Sequence, residues 1–292
     1  MGKARTSGRK ITLPDLIVSG MFIGGLALVH DGEVNVIDHE SSSGLWVAGD
    51  WLYRAITDLK RAEVRVYHRF ILQRRIEIPD CADLHDVRLV DGLLMAVSTG
   101  TNEIVQLDEA TGLLTRYQPP GEGDAWHLNS VCSYRGELIC SAFGDFPSHR
   151  SWKVRTKGRG CIVSVSTGEI LQDGLSMPHS LHAVDDNLYL CNSEEHELLR
   201  IAATGERSGW QIEGYARGLA VNDEYIFVGE SSSRHLMGER RTPKSPLGRI
   251  IVFDRRTMEQ VTEIPLPFSE VYDLRLVDSS WSYQLNWLVS QG

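Results

Sequence analysis

The chain has 292 residues, 42% of them hydrophobic and 24% charged, and a formal net charge of −9. That length is enough for one large domain, while the acidic balance argues against general nucleic-acid binding, which needs a basic surface. No apolar run reaches membrane-spanning length, and five cysteines without a CxxC spacing fit reduced thiols in a cytoplasm better than a disulfide framework.

In chain order, residues 1–10, "MGKARTSGRK", read as a basic mobile tail. They lack the apolar core and small-residue cleavage site of a signal peptide. Residues 11–292 read as one β-propeller domain. The pieces "DLIVSG", "GGLALVHDG" and "EVNVIDHE" come first, followed by a divergent unit from "GLWVAGDWLYRAI" to "VRVYHRFILQRRIEI". Within that unit "AITDLKRAEV" is the one segment with a short-helix pattern, a loop being the alternative. Four clearer units begin at Leu84, Trp126, Met177 and Tyr215. Each gives four alternating or apolar runs broken by Gly, Asp and Asn, the pattern of four antiparallel strands. After them comes a single further strand, "VYDLRLV".

Four strands per roughly forty residues is a propeller blade. The expected fold is all-β: a six-bladed β-propeller of four-stranded antiparallel blades, the last blade closed by strands from both termini. Seven blades is the structural alternative. Cys132, Cys140, Cys161 and Cys191 sit in apolar strands and read as core.

The first strand of each blade lines a propeller's axis, so its starting residues meet at one mouth. Those starts are His85-Asp86, His127-Leu128-Asn129, His179-Ser180, Arg217-Gly218 and Tyr272-Asp273. His85, His127 and His179 are expected at equivalent positions, where imidazoles could share one divalent transition metal, Zn, Fe or Cu. Such an ion would activate water or polarise an oxygen, with Asp86, Asn129 or Asp273 behind it. A metal-free polar or substrate-binding cluster is the competing reading. Arg217 needs an anion: Asp273, Glu230, or a substrate carboxylate or phosphate.

Two loops between second and third strands are basic. One carries Arg150, Lys153, Arg155, Lys157 and Arg159, the other Arg234, His235, Arg240, Arg241 and Lys244. Both are expected over the same mouth as a lid for an anion, the first held down by Trp152. The catalytic candidates are therefore His85, His127, His179 and Arg217. The substrate-binding candidates are Asn129, Asn192, Ser232, Arg234, Tyr272 and Asp273. Ser98, Thr99 and Ser231 lie near the same face, where they could hydrogen-bond ligand oxygens, but they are equally ordinary turn formers.

The pieces "WHLNSV", "GEILQDGLSMPHSLHAVDDNLYLCNS", "GYARGLAV", "FVGESSSR" and "EVYDLRLV" resemble a family of uncharacterised bacterial propeller-like proteins, the DUF4915-like group. The likeness covers about half of the chain. It implies the fold and points to His127, Asn129, Pro178, His179, Asn192, Arg217, Gly218 and Ser232, but brings no activity with it. The architecture is similar, at fold level only, to lactonases, strictosidine-synthase-like enzymes and streptogramin lyases.

Three functional readings follow. The first is an enzyme, a metal-assisted lyase, hydrolase, cyclase or isomerase acting on a small anionic metabolite. The second is a propeller that binds an acidic ligand or a protein partner. The third is a structural scaffold within a biosynthetic complex. None involves nucleic acid or a membrane.

Overall fold

A computed structural model describes residues 12–21, 24–56, 58, 60–108, 114–231 and 247–291. Twenty-four strands make six four-stranded antiparallel sheets. The closing blade orders β24 (Asp273–Val277), β1 (Asp15–Gly20), β2 (Gly25–His30) and β3 (Glu33–Asp38) from axis to rim. The first blade follows with β4 (Ser42–Ala48), β5 (Trp51–Ile56), β6 (Glu63–His68) and β7 (Ile71–Glu77). The second has β8 (Leu84–Val90), β9 (Leu93–Ser98), β10 (Glu103–Leu107) and β11 (Leu114–Tyr117). The third has β12 (Leu128–Tyr134), β13 (Glu137–Ala142), β14 (Gly160–Ser164) and β15 (Ile170–Leu175). The fourth has β16 (Pro178–Val184), β17 (Asn187–Asn192), β18 (Glu197–Ile201) and β19 (Arg207–Gln211). The fifth has β20 (Tyr215–Val221), β21 (Tyr225–Ser231), β22 (Arg249–Asp254) and β23 (Gln260–Pro265). The innermost strands touch in a closed circuit, β4 to β8, β12, β16, β20, β24 and back to β4. This is the expected six-bladed propeller, with β24 from one end of the chain paired to β1 from the other, Ser19 opposite Asp273.

Among the described residues the buried apolar side chains form seven clusters, six of them at the interfaces between neighbouring blades and a smaller one of Phe143, Trp152, Met177 and Tyr215. Second strands such as β9 are therefore apolar on both faces, and Leu94 through Val97 are buried. The outermost β7 carries Arg74, Arg75 and Glu77 in exposed positions, charges that discourage pairing with another chain at that edge.

Of the two readings of "AITDLKRAEV", a short helix or a loop, the described residues follow the second: Ala55 and Ile56 end β5, Glu63 and Val64 open β6, and Ile56 pairs with Glu63 across the connection. Strand pairing outweighs a weak helical pattern over so short a segment. The helix is instead α1 (Ser280–Gln291), after the last strand. Asp278 accepts from the Ser280 N–H at 2.8 Å and caps it. Trp281, fully buried, wedges between the closing and first blades against Ile17, Leu28, Leu45 and Leu52, so the helix locks the ring where its two ends meet. No helix of the described residues is long and apolar enough to cross a membrane. The tail at residues 1–10 lies outside the described residues.

Hydroxyls staple the blades. Ser19 Oγ donates to Ser43 O, Ser43 Oγ to Leu84 O, Thr99 Oγ1 to Leu128 O, Ser193 Oγ to Ala216 O and Ser231 Oγ to Val271 O. Each bond runs from one blade to the innermost strand of the next, or to the turn that leads into it. Thr99 and Ser231 thus serve the ring. Replacing Thr99 with valine keeps the shape and strands a buried carbonyl; the expected cost is ~1–2 kcal/mol, read as a lower urea midpoint at unchanged m-value.

Candidate active site

In the first to fifth blades the register between innermost and second strands slips at a β-bulge. The bulge re-aims side chains along the axis and sorts them into layers. The middle layer is Gly44, Asp86, Ser130, Ser180, Gly218 and Asp273. Its side chains reach to the next blade. Asp273 accepts from the Leu45 N–H at 2.9 Å, Asp86 from the Val131 N–H at 2.9 Å, Ser130 Oγ from Leu181 N–H at 3.1 Å and Ser180 Oγ from Gly218 N–H at 2.9 Å. The two remaining places take glycine. A Cβ at Gly44 would lie 2.6 Å from the Asp86 backbone, and Gly218 has φ +84°, a conformation L side chains rarely adopt.

Arg275 plugs this layer. It donates from Nη1 to Asp273 Oδ1 at 2.8 Å and from Nε to Leu45 O at 2.7 Å, with Asp86 at 3.9 Å. The axial space left beside it is about 10 Å³, roughly the size of one water. Asp273 and Asp86 are therefore ring staples, and Asp273 is not placed as a substrate ligand. Burial pushes the Asp273 carboxyl up, and Arg275 pulls it back.

Above the plug lies the layer of Ser43, His85, Asn129, His179, Arg217 and Tyr272. Equivalence here corrects one expectation: the third blade supplies Asn129 at this level, and His127 comes two residues earlier. His127 sits in a left-handed turn with φ +52°, as Asp83 (+54°) and Met177 (+50°) do in the neighbouring blades. That turn still carries its ring into the site, edge-to-face on His85 with centroids 4.9 Å apart.

Each of these two imidazoles has a carboxylate. His127 Nδ1 lies 2.8 Å from Asp124 Oδ1. Asp124, itself 1% exposed, also accepts from Trp152 Nε1 at 3.1 Å and Arg150 Nε at 3.2 Å. Burial drives the His127 pKa down to about 4, against the pull of Asp124, so the ring is neutral at pH 7. With Nδ1–H on Asp124, its Nε2 is left as a base. His85 is held the other way round: the Asn129 amide nitrogen is 3.1 Å from Nδ1, and Nε2 lies 3.6 Å from Asp83 Oδ1. Burial alone would raise the Asp83 carboxyl, but His85, His127 and Arg150 together hold it below the ordinary range.

His179 stands apart from this pair. Its Nδ1 is engaged by Met177 O and Ser193 Oγ, both at 2.8 Å. Phe143 touches both it and His127, with centroids 5.3 and 4.1 Å away. Phe143 occupies the place where the second and fourth blades carry the stapling hydroxyls of Thr99 and Ser193, and here an aromatic ring joins the two histidines. The expected three-histidine ion has no support in this arrangement. Among the described residues, no three His, Cys, Asp or Glu side chains converge to hold a metal.

Arg217 is 2% exposed and lies flat on Tyr272, Cζ 3.5 Å above the ring centroid; Tyr272 in turn meets the His85 ring edge-on at 5.8 Å. Of the carboxylates expected near Arg217, Asp273 is bound by Arg275 and Glu230 by Arg249 at 2.8 Å, while Arg217 Nη1 itself reaches Met21 Sδ at 3.9 Å. Asn192 is structural: its Oδ1 accepts from Ser176 N–H at 2.7 Å, and its Nδ2 donates to Glu197.

The first basic loop does cover this mouth. Trp152 is buried against His127 and Phe143, with centroids 4.2 and 5.3 Å away. Three loop cations are already paired, Arg150 with Asp124, Lys157 with Glu195 and Arg159 with Asp145. Ser232, Arg234 and the second basic loop lie outside the described residues. Sequence reasoning missed Asp124, Asp83 and Phe143 as parts of the site. The i,i+3 pair in "DAWH" was the available signal for the first.

A family model described as a domain of unknown function, DUF4915, matches residues 42–282. The chain belongs to this family. The DUF4915 match begins at the first blade's innermost strand and ends inside α1, leaving β1 to β3 outside it. No curated protein matches the sequence. Among solved structures, the chain is similar to one from a nidogen/laminin complex: TM-score 0.67, 10% identity, covering 90% of this chain and 97% of that one. It is also similar to a protein of unknown function from Bacteroides caccae, with TM-score 0.62 and 12% identity, covering 90% and 98%. A third is a streptogramin B lyase, with TM-score 0.52 and 16% identity, covering 77% and 69%. At these identities the likeness shows the fold alone.

Proposed function

We propose that the mouth formed by His85, His127, Arg217 and Tyr272 is an acid–base active site for a small anionic metabolite, of lyase or isomerase class. The observation that carries this reading is the buried His127 imidazole, whose Nδ1 lies 2.8 Å from the buried Asp124 carboxylate. In this reading Nε2 of His127 removes a proton from the substrate, and Asp124 stabilises the imidazolium that forms. His85, fixed between Asn129 and Asp83, holds the His127 ring plane. The Arg217 guanidinium, one aromatic ring away, draws the anionic group of the substrate. A fold shared with a streptogramin B lyase makes elimination the first reaction class to test.

The test is untargeted mass spectrometry of a bacterial metabolite extract incubated with the full chain or with His127→Asn. The wild type is expected to consume an anionic compound at least ~100-fold faster than the variant. An extract left unchanged by the wild type overturns the reading. It would favour the second one, a propeller that binds an acidic partner, for which the exposed Lys153 and Arg155 on the loop over the mouth offer contacts.

A further inference from the structure

Below the Arg275 plug, the next layer opens at the opposite end of the channel. There Trp46, Arg88, Cys132, His182 and Arg275 occupy equivalent positions of five blades. With Leu89, Val90, Ser133 and Ala183 they line a cavity of about 390 Å³, within the size range of small-molecule pockets. None of these residues enters the acid–base chemistry above.

The charge in this cavity is unbalanced. Arg275 is matched by Asp273 and Asp86. Arg88, 8% exposed, has no carboxylate partner among the described residues. It stacks on Trp46 with Cζ 4.9 Å from the ring centroid, and its Nη2 meets Leu181 O only at 3.4 Å. Its Nε and the Trp46 Nε1 are both buried donors that meet no acceptor among the described residues. Burial first, then Arg275 and Arg88, drive His182 down to about 3, so this ring adds no charge at pH 7. A buried guanidinium Nε–H and an indole N–H without acceptors are costly, and both costs are relieved by one oxyanion.

We infer that this cavity is a second ligand site, for a small organic monocarboxylate with a flat apolar body. The carboxylate sits on Arg88 and the Trp46 N–H, and the body lies along Leu89, Val90 and Ala183. A single charge is specified because only one guanidinium is left uncompensated. Asp91 at the rim opposes a second negative charge. Phosphate, as a dianion, fits worse.

Calorimetric titration of the full chain with sodium benzoate tests the site. One saturable binding event is expected, weakened at least ~10-fold in Arg88→Gln and unchanged in Arg217→Gln, which alters the other mouth. Trp46→Phe keeps the aromatic face and removes the N–H. It is expected to weaken binding several-fold, and it covers the case in which Arg88→Gln does not fold. Absence of saturable binding, equal affinity in folded Arg88→Gln, loss in Arg217→Gln instead, or tighter binding of inorganic phosphate than of benzoate each overturns the inference. None of these outcomes bears on proton transfer at His127.

Discussion

Replacing Asp273 with alanine is expected to destabilise the propeller by about 3–5 kcal/mol, the cost of leaving a buried partner charge uncompensated. The carboxylate accepts from the N–H groups of Leu45 and Leu274, each at 2.9 Å, and from both Nη atoms of Arg275, each at 2.8 Å. It joins the closing blade to the first at the seam where the ring is made from opposite ends of the chain. Without it, Arg275 remains at the axis with Asp86 3.9 Å away and Leu45 O as its nearest acceptor outside its own strand. The control is Lys157→Ala, which breaks the pair with Glu195 from its exposed side (Lys157 71% exposed) and is expected to cost ~0–1 kcal/mol. Urea unfolding of both variants makes the comparison. A loss under ~1 kcal/mol for Asp273→Ala would mean that Arg275 is not held by this staple and that the carboxylate is available for a ligand after all.

The blades were legible because a repeat announces itself: the same run of strand, tight turn and strand returns four times, and a lone blade cannot bury both faces. The layers were harder to read. Aligning "WHLNSV" with "PHSLHA" by their histidines puts His127 level with His179. Counting back six residues from the hairpin turns at Asp91, Arg135 and Asp185 instead gives His85, Asn129 and His179, which is the register the sheets adopt. The turn fixes register because side chains alternate at every step; a matching residue type does not. Contacts made across blades had no local signature at all. Asp86 reads as a polar residue beside a histidine, yet its carboxylate is spent on Val131 of the next blade. The terminal helix was overlooked because "SWSYQLNWLVSQ" carries no charge and few strong helix formers. Its signal was the spacing of Trp281, Leu285 and Leu288 on one face, behind the Asp278 cap.

Acidification is expected to weaken the fold steeply between about pH 6.5 and pH 4, and two histidines are the reason. In the unfolded chain an imidazole titrates near 6.5. In the fold, burial depresses His127 to about 4 and His182 to about 3. A depressed histidine contributes nothing to the pH dependence above the unfolded value, where both states are neutral. As pH falls below 6.5 the unfolded chain takes up a proton that the folded chain refuses, so stability drops until the folded pKa is reached. At ~1.4 kcal/mol per pH unit, His127 alone accounts for about 3 kcal/mol by pH 4. His182 is only partly buried by area, and solvent screening trims its share. The groups facing these rings set the size of the effect: Asp124 and Asp83 soften it at His127, whereas Arg275, Arg88 and Arg255 sharpen it at His182. Guanidinium unfolding midpoints at pH 7.5 and 4.5 give the measurement. His127→Asn and His182→Asn are each expected to flatten the wild-type difference, and the double variant to flatten it further. A double variant with the full wild-type difference would show that the proton is taken up elsewhere and that His127 is not the neutral base on which the proposed chemistry rests.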